Sequence, residues 1–175
     1  MTIVIPDGVS AAGMEQVWYV PTIAAATGIP TVAEVTAGFP IGCAMTASFN
    51  PAGEQEKTED LRLCLAEALE TFGRNKFTID PLEYVYDPQD PTDTTMYEAY
   101  ATLKQGVTGF LVDRRGVAGR EEITAGEFVD VYPVTFGYQN RVRVDMGMGA
   151  GGQKFRVTQS VALSGAVLQD VAVAT

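Results

Sequence analysis

The chain of 175 residues contains no histidine. That absence removes imidazole acid/base catalysis, Ser/His triads and the usual ligand of zinc and non-haem iron sites. Cysteine is scarce as well. Cys43 and Cys64 stand outside any CxxC spacing, so neither a zinc site nor a disulfide framework is indicated, and both read as reduced, partly buried residues. Long apolar runs are also missing. "YVPTIAAATGIPTV" is broken by Pro21 and Pro30, and the Val/Ala-rich C-terminus by Gln169 and Asp170; both fall short of the ~20 residues needed to span a bilayer. "MTIVIPDG" has neither the positive start nor the small-residue cleavage site of a secretory signal, so the expectation is a chain made and kept in a cytoplasm.

Basic residues are the minority, 12 against 22 acids, for a net charge of -10. The imbalance is uneven. Residues 1–100 carry 15 acids and 4 bases, whereas residues 101–175 carry 7 acids and 8 bases. An acidic surface repels duplex DNA and anionic membranes, which argues against DNA binding through a basic patch. The asymmetry suits copies that meet head to tail through complementary faces, as ring-forming interfaces require.

What is present is an ordinary globular composition, 46% hydrophobic and 19% charged, in a length that fits one domain over residues 1–175. Most segments read as short strands separated by Gly, Pro, Asn and Asp, the pattern of an antiparallel β domain. In 128–138, Phe128, Tyr132, Val134, Phe136 and Tyr138 share one parity, interrupted by Asp130; Pro133 argues for an edge or bulge. "RVRVDM", "FRVTQSVAL" and "AVLQDVAVA" alternate in the same way, and further strands are expected at 16–20, 77–86 and 108–114. One helix is expected at 95–105, from a Thr95/Glu98 capping pattern, a Met96, Tyr100, Leu103 stripe and a stop at Gly106. "EDLRLCLAEALETF" fits helix or strand by its leucines, with propensity favouring helix. Residues 39–60 start apolar and end acidic around a turn at Asn50, Pro51 and Gly53, which suggests a long hairpin or an excursion from the domain.

The chemical motifs fail on inspection. Gly147, Gly149 and Gly152 spell GxGxxG, but the residues after them alternate with a period of two, and Gln153 stands where a Walker lysine would be. The stretch reads as a flexible connection between antiparallel strands. Asp87, Asp90 and Asp93 lack the order of an EF-hand loop and read as a solvated turn with a helix cap. Arg114, Arg115 and Arg120 beside Glu121 and Glu122 suit a charged hairpin tip or subunit contact better than a phosphate grip. No catalytic, cofactor-binding or metal-binding residues emerge, which points to a structural or binding role without a cofactor.

Five segments in collinear order, "PDGVSAAG", "LEYVYDPQDP", "AYATLKQGVTGFLVDRRG", "GEFVDVYPVTFG" and "VTQSVALSGAVLQDVAVA", together resemble the major tail (tail tube) proteins of long-tailed, non-contractile bacteriophages of actinobacteria. The resemblance implies a mainly β fold, an antiparallel β-sandwich or flattened barrel with one flanking helix and a long extended hairpin. On the same analogy "RLCLAEALETFG" becomes strands and a connection. It also implies homohexameric rings stacked into a tube, with tape measure, terminator and baseplate proteins as partners and double-stranded DNA passing non-specifically through the lumen. An acidic or neutral lumen would let DNA slide without phosphate contacts. The expected location is the virion tail, with assembly in the host cytoplasm and no membrane insertion. The alternative within the virion is another β-sandwich, such as a tail terminator or capsid decoration protein; an enzyme or lectin-like module is the third reading.

Within the tube reading the candidate subunit contacts are Phe49, Asn50, Glu54 and Glu56, as the contact between rings, and the basic Arg114, Arg115 and Arg120. Arg141, Arg143, Lys154 and Arg156, which flank the glycine-rich segment, are expected to dock it on an acidic surface of the next subunit.

Overall fold

A computed structural model describes residues 12–47, 49–60, 69–142 and 154–175. The fold is mainly β, a curled antiparallel sheet forming a half-barrel, with a separate two-stranded hairpin and short helices. The seven-stranded sheet is built from β1 (Glu15–Val20), β2 (Phe39–Pro40), β5 (Leu82–Val85), β6 (Thr108–Arg115), β7 (Phe128–Val142), β8 (Arg156–Leu163) and β9 (Leu168–Ala172). Its order is β2-β1-β6-β7-β8-β5, with β9 also paired to β7. The hairpin consists of β3 (Pro51–Asp60) and β4 (Leu69–Ile79).

The 15-residue β7 causes the curl. One edge pairs with β6 from Asp130 to Thr135, while the other pairs first with β9 and then, from Val134 onward, with β8. Register slips between Val129 and Val131, and again between Phe136 and Gln139. Such bulges bend a strand and raise its twist, so β7 turns from one neighbour to the next. Pro133 sits inside this strand, opposite Phe110, close to the change of partner.

Both faces of the sheet are buried. Val17 and Tyr19 join Leu111, Tyr132, Val134 and Phe136 on one side, while Trp18 and Val20 join Val112, Val129 and Val131 on the other. This explains why "VWYV" in β1 is a continuous apolar run: alternate side chains enter different cores. It also corrects the single-parity reading of 128–138. Phe128 and Tyr138 are exposed, while Val129 and Val131, of the opposite parity, are buried in the second core.

The helix α2 (Glu98–Thr102) covers the first core with Ala99 and Tyr100, followed by Leu103. It is shorter than expected. Asp93 Oδ1 accepts from the backbone N–H groups of Thr95 and Met96, so a turn precedes the helix in place of the Thr95 capping pattern, and Met96 is exposed. Gly106 does not end the helix directly. With φ of 84° it turns the chain into β6 and donates its N–H to Phe136 O at 2.8 Å.

A second helix, α1 (Val32–Ala37), covers the other core through Val35. It carries the capping box of this fold. Glu34 N donates to Thr31 Oγ1 and Thr31 N to Glu34 Oε2, at 3.2 and 2.8 Å. Hydrogen bonds from Ala24 N, Thr31 N and the Thr31 hydroxyl hold the Glu34 carboxyl below its ordinary range.

Residues 39–50 depart from expectation. They form β2, a 3₁₀ turn at Gly42–Ala44 and a buried anchor, Phe49, set edge-on to Tyr132 at 5.5 Å. Only residues from Pro51 onward enter the hairpin, so no turn lies at Asn50, Pro51 and Gly53. The expected strand at 77–86 is two, divided at Asp80 and Pro81.

Candidate assembly surfaces

The hairpin is the first surface. β3 and β4 are in register from Pro51 opposite Ile79 to Asp60 opposite Leu69, with one irregularity between Gln55 and Lys57. Side chains from Ala52 to Glu59, and from Glu70 to Lys76, are exposed. Glu54 lies opposite Lys76, and Lys57 Nζ sits 3.2 Å from Glu70 Oε2 and 5.8 Å from the Phe72 ring centre. Phe72 itself is 70% exposed. Glu59 and Glu70 face each other directly, a like-charge pair that destabilises an isolated ribbon. β3 is built largely from Glu, Asp, Lys, Gly, Pro and Ala, which are poor strand formers, and a two-stranded hairpin alone is marginal in water.

The second surface is a cleft of about 640 Å³ at the end of α2, lined by Tyr100, Lys104, Tyr138, Gln139 and Arg141 among others. Lys104 Nζ donates to Tyr100 O at 2.6 Å and lies 4.1 Å from the Tyr100 ring centre. Arg141 Nη2 donates to the Tyr100 hydroxyl at 3.2 Å, which raises the guanidinium pKa. A neighbouring groove of about 820 Å³ runs past Tyr86, Met96, Tyr97, Lys154 and Phe155, with Tyr86 stacked on Tyr100 at 4.6 Å.

The arginines expected at a contact divide sharply. Arg114 is fully buried. It donates to Glu127 Oε2 at 2.8 Å and to the carbonyls of Ala118, Glu121 and Glu122, and its guanidinium stacks 4.9 Å from the Trp18 ring. It gathers the 116–127 connection onto the sheet, and its charge serves the interior of this chain. Arg115 contacts the buried Asp113 carboxylate at 2.5 Å, while Arg120 is exposed. Burial, with the nearby Glu15 and Asp130 charges, pushes Asp113 up to about 6 despite the charge and contact of Arg115. Asp130 stands opposite it across the strands.

Of the remaining candidates, Phe49 is a core residue and Asn50 holds Asp80 Oδ2 at 3.0 Å beside the start of β3. Glu54 and Glu56 are exposed on β3, Arg141 lies in the cleft, Lys154 in the groove, and Arg156 Nε is 3.5 Å from Glu83 Oε1. Arg143 and the glycines of GxGxxG lie outside the described residues. The strands flanking them are antiparallel neighbours, Val142 opposite Arg156, whereas a dinucleotide fold needs a parallel βαβ unit there. Lys104, Tyr138 and Phe72 were not among the sequence candidates. An exposed aromatic inside an alternating strand is invisible until the sheet's faces are known.

A curled β scaffold with an exposed hairpin and a charged cleft is a fold that offers contact surfaces. Residues 2–175 match the family of phage tail tube proteins, and the chain belongs to that family, a structural and non-enzymatic component of the phage tail. A comparison with curated proteins gives no significant match.

Proposed function

We propose that six copies of this chain close into a ring and that rings stack into the tail tube of a long-tailed, non-contractile phage of actinobacteria, the conduit for its genome. The observation that carries this reading is the β3–β4 hairpin. Among the described residues it pairs with no strand of the main sheet and exposes its side chains along most of both strands, and its first strand, β3, has little intrinsic strand propensity. A segment of that kind gains its stability from a neighbour. Family membership and the unequal charge of the two parts of the chain support the same assembly. Tape measure, terminator and baseplate proteins are its partners at the ends of the tube, double-stranded DNA passes through the lumen without specific contacts, and assembly takes place in the host cytoplasm.

Native mass spectrometry of the purified chain at rising concentration tests the ring. Six-fold species and their multiples are expected. Trimers, or rings that never stack, would favour a decoration or terminator protein instead.

A further inference from the structure

We propose that the cleft formed by Lys104, Tyr138 and Arg141 receives the hairpin of a second copy, with Glu59 and Glu70 on the two cations and Phe72 against Tyr138. The pairing rests on the tube assembly proposed above and names the surfaces that join its subunits.

Lys104 and Arg141 grip Tyr100 from its two ends, the backbone carbonyl and the hydroxyl. This fixes both cations at one cleft. The ion pairs among the described residues are Lys57–Glu70, Arg114–Glu127, Arg115–Asp113 and Arg156–Glu83, so neither Lys104 nor Arg141 meets a carboxylate there. Arg141 gives one of its five N–H donors to Tyr100 among those residues, leaving donors suited to a carboxylate. Tyr138 is 64% exposed beside them.

The hairpin carries the complement. Glu59 and Glu70 face each other across the ribbon, and among the described residues the cation paired with them is Lys57, on Glu70. Cations from outside would turn their repulsion into attraction, and Phe72 supplies an exposed aromatic face within the same stretch. Ten residues of β3 extend about 30 Å, enough to reach an adjacent subunit. The chain's charge asymmetry has the same sense, with the acids on the first hundred residues and the cleft formed mainly by residues beyond them.

A charge exchange in the full chain tests the pairing, with tubes counted by negative-stain microscopy and folding checked by circular dichroism. Lys104→Glu/Arg141→Glu and, separately, Glu59→Lys/Glu70→Lys are expected to reduce tube yield at least tenfold while the protein stays folded. Combining all four substitutions, or mixing the two double variants, is expected to restore tubes. Normal tubes from either double variant, or no recovery in both the combined variant and the mixture, overturns the pairing while leaving the tube reading intact. Wild-type protein that never forms tubes overturns both.

Discussion

Gln159 Nε2 donates to Leu103 O at 2.7 Å, tying the end of α2 to the middle of β8. The same amide nitrogen reaches Gly137 O at 2.9 Å, and its oxygen accepts from the Tyr84 hydroxyl at 2.7 Å. Gln139 Nε2 then donates to Tyr84 Oη at 2.8 Å and to Tyr100 O at 3.1 Å. Through this chain of bonds the buried interior holds Tyr100, and with it the two cations of the cleft. Burial raises the pKa of the Tyr84 hydroxyl, which stays neutral and keeps donating.

Gln159→Leu keeps the volume but strands the Leu103 and Gly137 carbonyls and the Tyr84 hydroxyl. Each unsatisfied buried group costs about 1 to 3 kcal/mol, so a loss of about 2 to 4 kcal/mol is expected after partial relaxation. Urea unfolding followed by the fluorescence of Trp18, the single tryptophan, measures it.

Arg114→Lys is expected to destabilise nearly as much as Arg114→Ala, by about 3 kcal/mol or more, because one ammonium cannot serve four acceptors and stack on Trp18. The same unfolding assay applies. Equal stability of Arg114→Lys and wild type would contradict the placement of this side chain.

Asp113 supplies a pH signature. Its folded pKa, about 6, lies above the ordinary 3.8, so the native state holds this proton more tightly than the unfolded chain. Its contribution to stability is therefore full below about pH 4 and is lost as pH rises through 6. Asp113→Asn is expected to exceed wild type by up to about 3 kcal/mol at pH 8 and to approach it at pH 4. Glu127, held below its ordinary range by Arg114, works in the opposite direction, so the difference between the two proteins across pH is the quantity to measure.

Much of the β architecture is legible from alternation and turn residues. β1, β6 and β8 fall close to the strands expected at 16–20, 108–114 and 155–163, while β7 joins the stretch at 128–138 and the start of "RVRVDM" in one strand. What escapes is what depends on the sheet having two cores. Val129 and Val131 look like the outward parity until Val35 of α1, with Ile23 and Ile123, packs into the same cluster. Helix α1 spans six residues, too short for a periodic stripe, and its one local signal is the Thr31/Glu34 capping pair. Arg114 reads as a surface charge because a guanidinium is seldom fully buried; only the return of residues 118–127 supplies its acceptors. The hairpin is legible as an excursion, but its start is misplaced, since Phe49 marks the end of the core and not the beginning of the ribbon.

That boundary decides how the hairpin is removed. Deleting residues 45–57 would take Phe49 from the core and Met45 from its bridge to Tyr84. Gly53 and Phe77 are opposite one another, so replacing residues 54–76 with Asn-Gly closes the ribbon with a two-residue turn. This variant is expected to unfold within about 1 kcal/mol of wild type, as surface changes away from the core do, and to form no tubes.

Negative-stain microscopy of the purified chain tests the central claim most directly. Tubes of uniform width, one ring across and growing in length with concentration, are the expected result. A chain that remains monomeric under every assembly condition would contradict it.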